Sequence, residues 1–345
     1  MLIKKLIQRP DSVTYDELVY LLKKDEYTEK LFETANEIRR KYVGDEIHLR
    51  GIIEFSNYCK RHCLYCGIRS ENKDLKRYRM TKEEIINRAK AIAKQGIKTI
   101  VLQSGEDPYY TAETIAEIIS EIKKFNVAVT LSIGERDEEE YKLWKNHGAD
   151  RYLMRHETAS EKLYSWMHPD SSFEERSNHL KILKRLGYET GAGCMVGLPN
   201  QGPEELALDL VFMRELDADM VGIGPFIPHQ NTPLGNEKGG DLKTCLKMIA
   251  LTRLLIPDCN IPATTAMGSI HPRGRELALK VGANVIMPNL TPLKYKPLYQ
   301  LYPNKICIFE SDMKCIPCVK NMISRLGRTV GKDFGSRKKI EYLVT

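Results

Sequence analysis

The chain has 345 residues, 42% of them apolar, and a formal net charge of +7. That length buries a large core, in one big domain or two ordinary ones. No apolar run reaches the roughly eighteen residues of a membrane span. The opening Met1-Leu-Ile-Lys-Lys-Leu brings charge too early for a secretory signal, so a cytoplasmic protein is expected.

Residues 1–46 read as two amphipathic helices forming an N-terminal segment. From residue 47 an apolar strand-like run, a helical pattern and a Gly recur in turn. The strand candidates are 47–56, 99–105, 127–133, 150–157, 189–197, 220–227, 261–267 and 283–289. Thr81-Lys-Glu-Glu84 is a capping box, and the helix it opens stops at Gly96. Gly148, Gly187 and Gly282 close later helices in the same way, and residues 203–216 and 241–256 are further amphipathic helices.

Eight βα units between 47 and 290 match the length of a (β/α)8 TIM barrel, an α/β fold. A doubly wound sheet of eight strands is the second reading, which the regular alternation disfavours. In a barrel the strand C-terminal ends share one mouth. Those ends are Ser56-Asn57, Gln103 to Glu106, Ser132, His156-Glu157, Met195 to Gly197, Pro225-Phe226, Thr264-Thr265 and Pro288-Asn289. They are polar or small while the strand bodies are apolar, as an active site at the mouth requires. Residues 291–345 follow as a C-terminal segment. Its stretch 314–339 carries eight Lys or Arg against Asp333 alone, which matches the whole charge excess. It reads as a solvated surface, with docking of an acidic partner or nucleic acid as the alternative.

Nine cysteines is an odd count, and clustered thiols point to metal rather than disulfides. Cys194, Cys245 and Cys259 are scattered and read as small buried apolar residues. Cys59-Lys-Arg-His-Cys63-Leu-Tyr-Cys66 has the spacing C-x3-C-x2-C directly after the first strand-like run. Three thiolates on a short loop can hold three corners of a cubane cluster and leave one iron open. A zinc site completed by His62 is the alternative. The second group is Cys307, Cys315 and Cys318, in which Cys315-x2-Cys318 is a chelating pair flanked by Lys314 and Lys320. Zinc, or an empty redox-active pair, is the other reading there.

The first triad, with an aromatic Tyr65 before its last Cys, resembles the signature of the radical S-adenosylmethionine (SAM) superfamily. The resemblance implies a [4Fe-4S] cluster whose open iron chelates SAM, and reductive cleavage of SAM to a 5′-deoxyadenosyl radical. Ser104-Gly-Glu106 stands where the family has a Gly-Gly-Glu turn facing the methionine amino group, with Ser104 replacing the first Gly. Gly193-Cys-Met-Val-Gly197 resembles the family's adenine-supporting segment, although Gly-x-x-x-Gly also fits a close strand–helix turn.

Longer segments resemble the E-type maturases of [FeFe]-hydrogenase over nearly the whole chain. They are Ile53 to Asn57, Leu102 to Pro108, Arg155 to Thr158, Gly222 to His229 and Ile261 to Gly268. That resemblance implies that Glu157 holds the SAM ribose hydroxyls and that Arg176 pairs with the SAM carboxylate. Tyr65, Gln103, Ser104, Gly105 and Ser132 are implied on the SAM side. Arg155, Thr264, Thr265, Met287, Tyr299 and Tyr302 are implied around the cavity below it, and Arg151 deeper, as an anion binder. Arg151 or Arg155 pairing with a barrel carboxylate, and Tyr299 or Tyr302 capping the core, are the structural alternatives. An accessory iron-sulfur cluster, [2Fe-2S] or [4Fe-4S], is implied at the second cysteine group.

The expected activity is therefore oxygen-free radical chemistry in assembly of the diiron subsite, on a small organometallic or sulfur-containing substrate. A reductant such as ferredoxin or flavodoxin and other hydrogenase maturases are the implied partners. Membranes and nucleic acid are not. A methylornithine synthase- or biotin synthase-like mutase or sulfur insertase is the second function. An iron-sulfur carrier or RNA-binding scaffold is the third.

Overall fold

The computed structural model describes residues 2–309 and 313–340; parts of the C-terminal segment, 310–312 and 341–345, lie outside. The described residues form ten strands: β1 Glu46–Ser56, β2 Thr99–Ser104, β3 Ala128–Ser132, β4 Arg151–Leu153, β5 Glu189–Ala192, β6 Met195–Val196, β7 Met220–Val221, β8 Gly224–Pro225, β9 Val285–Ile286 and β10 Thr329–Val330. Parallel pairing runs β1-β2-β3-β4-β5-β7. Single bridges then carry it from Met220 to Asn260 and from Pro262 to Val285, and β9 pairs with β1. The ring closes on eight strand positions, each overlapping one of the eight sequence-predicted runs, with Glu46 and Asn260 one residue outside theirs.

Each crossover is helical for local reasons. Thr81 accepts from Glu84 N while Glu84 accepts from Thr81 N, the predicted capping box. Gly96, Gly148, Gly187 and Gly282 sit at positive φ after their helices, conformations that cost a side chain about 1 kcal/mol or more. Alternation along β1 sorts its residues. A Cβ at Gly51 would press on Ile92 of the helix Lys82–Lys94, whereas Arg50 and Glu54 meet partners inside the ring. Strand bodies and helix faces then bury Ile, Val and Leu in one continuous core.

Some boundaries differ from expectation. The N-terminal segment forms three helices, Leu2–Gln8, Tyr15–Lys23 and Thr28–Val43, because Thr14 caps a separate start at Tyr15. The run 189–197 splits at Gly193, whose φ of 151° suits only glycine. The run 261–267 pairs only through Pro262, and Thr265–Ile270 is helical.

The C-terminal segment corrects part of a larger expectation. Six of its eight Lys and Arg side chains are exposed, as a solvated surface requires, but Arg328, Arg337 and the backbone around Phe334 and Gly335 are built into the fold. Its backbone crosses the N-terminal ends of the strands, where Arg50 donates to Gly335 O at 3.0 Å and Arg151 to Phe334 O at 2.8 Å. Thr99 and Asn260 donate to the same two carbonyls. Arg337 pairs with Asp217, Asp219 and Asp258 at 2.7, 3.1 and 2.6 Å. Arg328 is buried and donates to four main-chain oxygens. Two of the eight cations therefore close the fold instead of facing solvent.

Candidate active site at the barrel mouth

The loop after β1 places Cys59, Cys63 and Cys66 together, each partly buried. Burial first, and then the neighbouring Cys66 and Cys59, push the Cys63 thiol well above its usual range. The same two effects push Cys66 up to about 12, and burial raises Cys59. Three thiols that oppose one another's ionisation need a strongly cationic occupant to become ligands, and its binding would release their protons. A cubane takes one thiolate at each of three irons, so the donor set fits it. The zinc alternative finds no support in the fourth ligand, since His62 meets Ser70 and Glu71 instead. Among the described residues no three His, Cys, Asp or Glu side chains converge on a single ion.

Arg61, between Cys59 and Cys63, anchors this loop. It donates to Glu106 at 2.6 Å and to Glu135, and lies 3.7 Å from Asp170. Glu106 follows β2 and Glu135 follows β3, so one guanidinium ties the loop to two strand ends. Two glycines make the fit. A Cβ at Gly105 would strike Tyr58 O and Cys59, and one at Gly134 would strike Glu106. Arg61 and Glu135 were not singled out from the sequence. The Gly-Glu pair repeated after two successive strands, Gly105-Glu106 and Gly134-Glu135, was the available signal.

The predicted SAM-side residues converge. Gln103, Ser104, Ser132, Arg155 and Glu157 are half-buried at or just beyond the C-terminal ends of β2, β3 and β4. Tyr65 donates its hydroxyl to His168 Nε2 at 3.0 Å. His168 Nδ1 meets Tyr164 O at 3.0 Å, which assigns its proton to Nδ1. Arg176 reaches the same region, where its Nε lies 2.7 Å from Glu135 and its Nη1 donates to Arg155 O. Glu157 pairs with Arg155 at 2.7 Å and has φ 64°, a left-handed backbone that glutamate seldom adopts.

Thr264, Thr265 and Met287, just beyond the C-terminal ends of the strand positions at Pro262 and β9, and Tyr302, in the C-terminal segment, are half-buried. Tyr299 is buried in the core beneath Lys305, which pairs with Glu54. Arg151 does not join this group. As the first residue of β4 it sits at the opposite end, bonded to Glu189 at 2.8 Å and to the C-terminal segment. Its pairing with a barrel carboxylate is the reading that holds.

The second cysteine group is less compact. Cys315 is buried at the start of the helix Cys315–Arg325, Cys318 is exposed one turn on, and Cys307 is half-buried with φ 63°.

Known proteins resemble the chain in sequence and fold. The profile described as Radical SAM superfamily matches residues 53–212. The chain is 63% identical over 91% of its length to an [FeFe] hydrogenase maturase subunit HydE of Thermotoga maritima, of which it covers 90%. It is 33% identical over 77% of its length to a 3-methylornithine synthase of Methanosarcina acetivorans, of which it covers 75%. A crystal structure of methylornithine synthase superposes with a TM-score of 0.83 at 29% identity, over 96% of this chain and 97% of that one.

Proposed function

Because the chain belongs to the radical SAM superfamily and, within it, to the HydE family of [FeFe]-hydrogenase maturases, we propose that its barrel mouth cleaves SAM to act on a small organometallic or sulfur-containing precursor of the diiron subsite. The observation that carries this is the loop of three partly buried thiols, locked by Arg61 to the ends of β2 and β3. Membership implies a [4Fe-4S] cluster and SAM. Held by these thiols, the cluster would supply the electron for reductive cleavage of the SAM sulfonium to methionine and a 5′-deoxyadenosyl radical.

The residues then divide the work. Cys59, Cys63 and Cys66 hold three irons. Tyr65, Gln103, Ser104, Gly105 and Ser132 enclose SAM. Arg176 pairs with its carboxylate and Glu157 accepts from its ribose hydroxyls, as a bidentate acceptor suits a diol. Arg155, Thr264, Thr265, Met287 and Tyr302 bound the precursor and exclude water from the radical, while the buried Tyr299 caps the core behind them. The unit doing this is 47–290, flanked by 1–46 and 291–345. A ferredoxin- or flavodoxin-like reductant and the other maturases are the proposed partners. Cys307, Cys315 and Cys318 are proposed to hold an accessory iron-sulfur cluster outside the reaction path.

The test is anaerobic reconstitution with iron and sulfide, reduction, and SAM with candidate precursors. Formation of 5′-deoxyadenosine, accelerated by an iron-containing precursor, is expected. Acceleration by biotin or methylornithine precursors instead would move the chain to the second function. Replacing Cys318 with Ser should lower bound iron and leave deoxyadenosine yield intact. A matching loss of yield would put the accessory group on the reaction path.

A further inference from the structure

Behind Glu157 lies a buried pair that the SAM contacts do not use. His156 and Asp209 are both fully buried, with Nε2 to Oδ1 at 3.1 Å. Gly193 N donates to His156 Nδ1 at 3.3 Å, so Nε2 carries the proton and donates to Asp209. The same Asp209 oxygen accepts from Ala159 N at 2.6 Å. Asp209 belongs to the helix Pro203–Glu215, in the next βα unit. Phe212 and Phe173 pack edgewise on the imidazole, with centroids 4.7 and 6.5 Å away.

The two residues therefore grip the chain on both sides of Glu157, at His156 and at Ala159. Between the grips, Glu157 N donates to Gly193 O at 3.0 Å and Met195 N donates to Glu157 O at 2.9 Å. Glu157 is the residue with φ 64°. A left-handed glutamate persists only where its surroundings over-determine it. A buried carboxylate and imidazole are costly to desolvate, and their coupling to this one segment is what offsets that cost.

We propose that His156 and Asp209 are positioning residues that hold Glu157 in its left-handed conformation, and so aim its carboxylate at the ribose of SAM. This rests on the reading that Glu157 binds the ribose. The pair never touches SAM. It acts by setting the backbone from which Glu157 projects, and its effect is confined to the nucleoside half of the ligand.

The test uses reconstituted holoenzyme and equilibrium dialysis with SAM, S-adenosylhomocysteine and methionine. Asp209→Ala is expected to weaken both adenosyl ligands about tenfold, the factor that release of such backbone strain supports. Methionine affinity and bound iron should stay at wild-type levels. Asp209→Asn, which keeps an acceptor toward His156 and Ala159, should restore most of the loss. Should Asp209→Ala not fold, His156→Phe keeps the ring between Phe173 and Phe212, removes both nitrogens and carries the same expectation. Unchanged adenosyl affinity, or an equal loss for methionine, overturns the proposal. Glu157→Gln separates the two layers. If it weakens adenosyl ligands while the pair's variants do not, only the positioning role falls. If it changes nothing, the ribose role falls and takes the positioning role with it.

Discussion

The two ends of the barrel carry similar residues in opposite states. At the floor, Arg50, Arg151 and Arg337 are nearly inaccessible, and the chain supplies their partners: the carbonyls of Phe334 and Gly335, Glu189, and three aspartates. These partners offset part of the desolvation that burial imposes, although burial still pushes Arg50 down to about 9. At the mouth, the thiols resist ionisation, Glu157 is held in a strained backbone, and polar side chains stay half-buried. The floor is finished by its own sequence. The mouth stores strain and suppressed charge where a cationic cluster and a ribose would use them. Arginine content alone therefore says little about function; what an arginine faces decides it.

The sharpest break in this comparison is a single thiol. Cys63→Ala removes one of three cluster corners, and SAM cleavage should fall to background while the apo-protein unfolds at an unchanged denaturant midpoint. Undiminished deoxyadenosine from this variant would overturn the mouth assignment. The floor predicts the reverse. Arg337→Ala leaves the buried Asp258 without its cation, while Lys184 and Lys339 still face Asp217 and Asp219, and breaking a buried pair such as Arg337–Asp258 costs about 3–5 kcal/mol. Denaturation of the cluster-free protein should show that loss, with SAM cleavage per folded molecule preserved. A stable but inactive Arg337→Ala protein would mean that the two ends are not separable.

The mouth was more legible than the floor, for a physical reason. Cys59, Cys63, Cys66 and Tyr65 lie within one loop, so their spacing carries their geometry. Gln103 and Ser132 lie at strand ends and Glu157 and Thr264 just beyond them, and the barrel rule turns strand ends into neighbours. The floor depends on contacts between Arg151 and Phe334, or Arg337 and Asp219, more than a hundred positions apart. No local periodicity marks those pairs, so charge composition suggested a solvated tail. Glu135 and Asp209 were hidden for the same reason: each acts through a partner on a different βα unit. The strand 261–267 misled because Thr264 reads as β-branched strand, while in the fold it is the last extended residue before the helix Thr265–Ile270 and its hydroxyl donates to Ile223 O.

Acid should separate the two ends by a smaller effect. His168, buried behind Tyr65, is pushed down to about 3, by burial first and by Arg176 second. It stays neutral in the fold while the unfolded chain takes up a proton near pH 6.5. The unfolded state then binds more protons below pH 6.5, and stability falls as pH drops through that window, by about 1.4 kcal/mol per unit. Between pH 6.5 and pH 5 this one group removes about 2 kcal/mol. At the floor, burial alone would raise Asp217, but Lys339, Arg337 and Lys184 hold it below its usual value. Its contribution is therefore present above the ordinary carboxylate range of about 3.9 and is lost only below it. His168→Gln can accept from Tyr65 and donate to Tyr164 O without titrating. Its stability curve should be flatter than wild type between pH 6.5 and 5, while both proteins share the steep loss below pH 4. Denaturant midpoints across that pH series decide the matter. Parallel curves above pH 5 would mean that His168 is protonated in the fold, and the mouth would then hold a charge that its burial argues against.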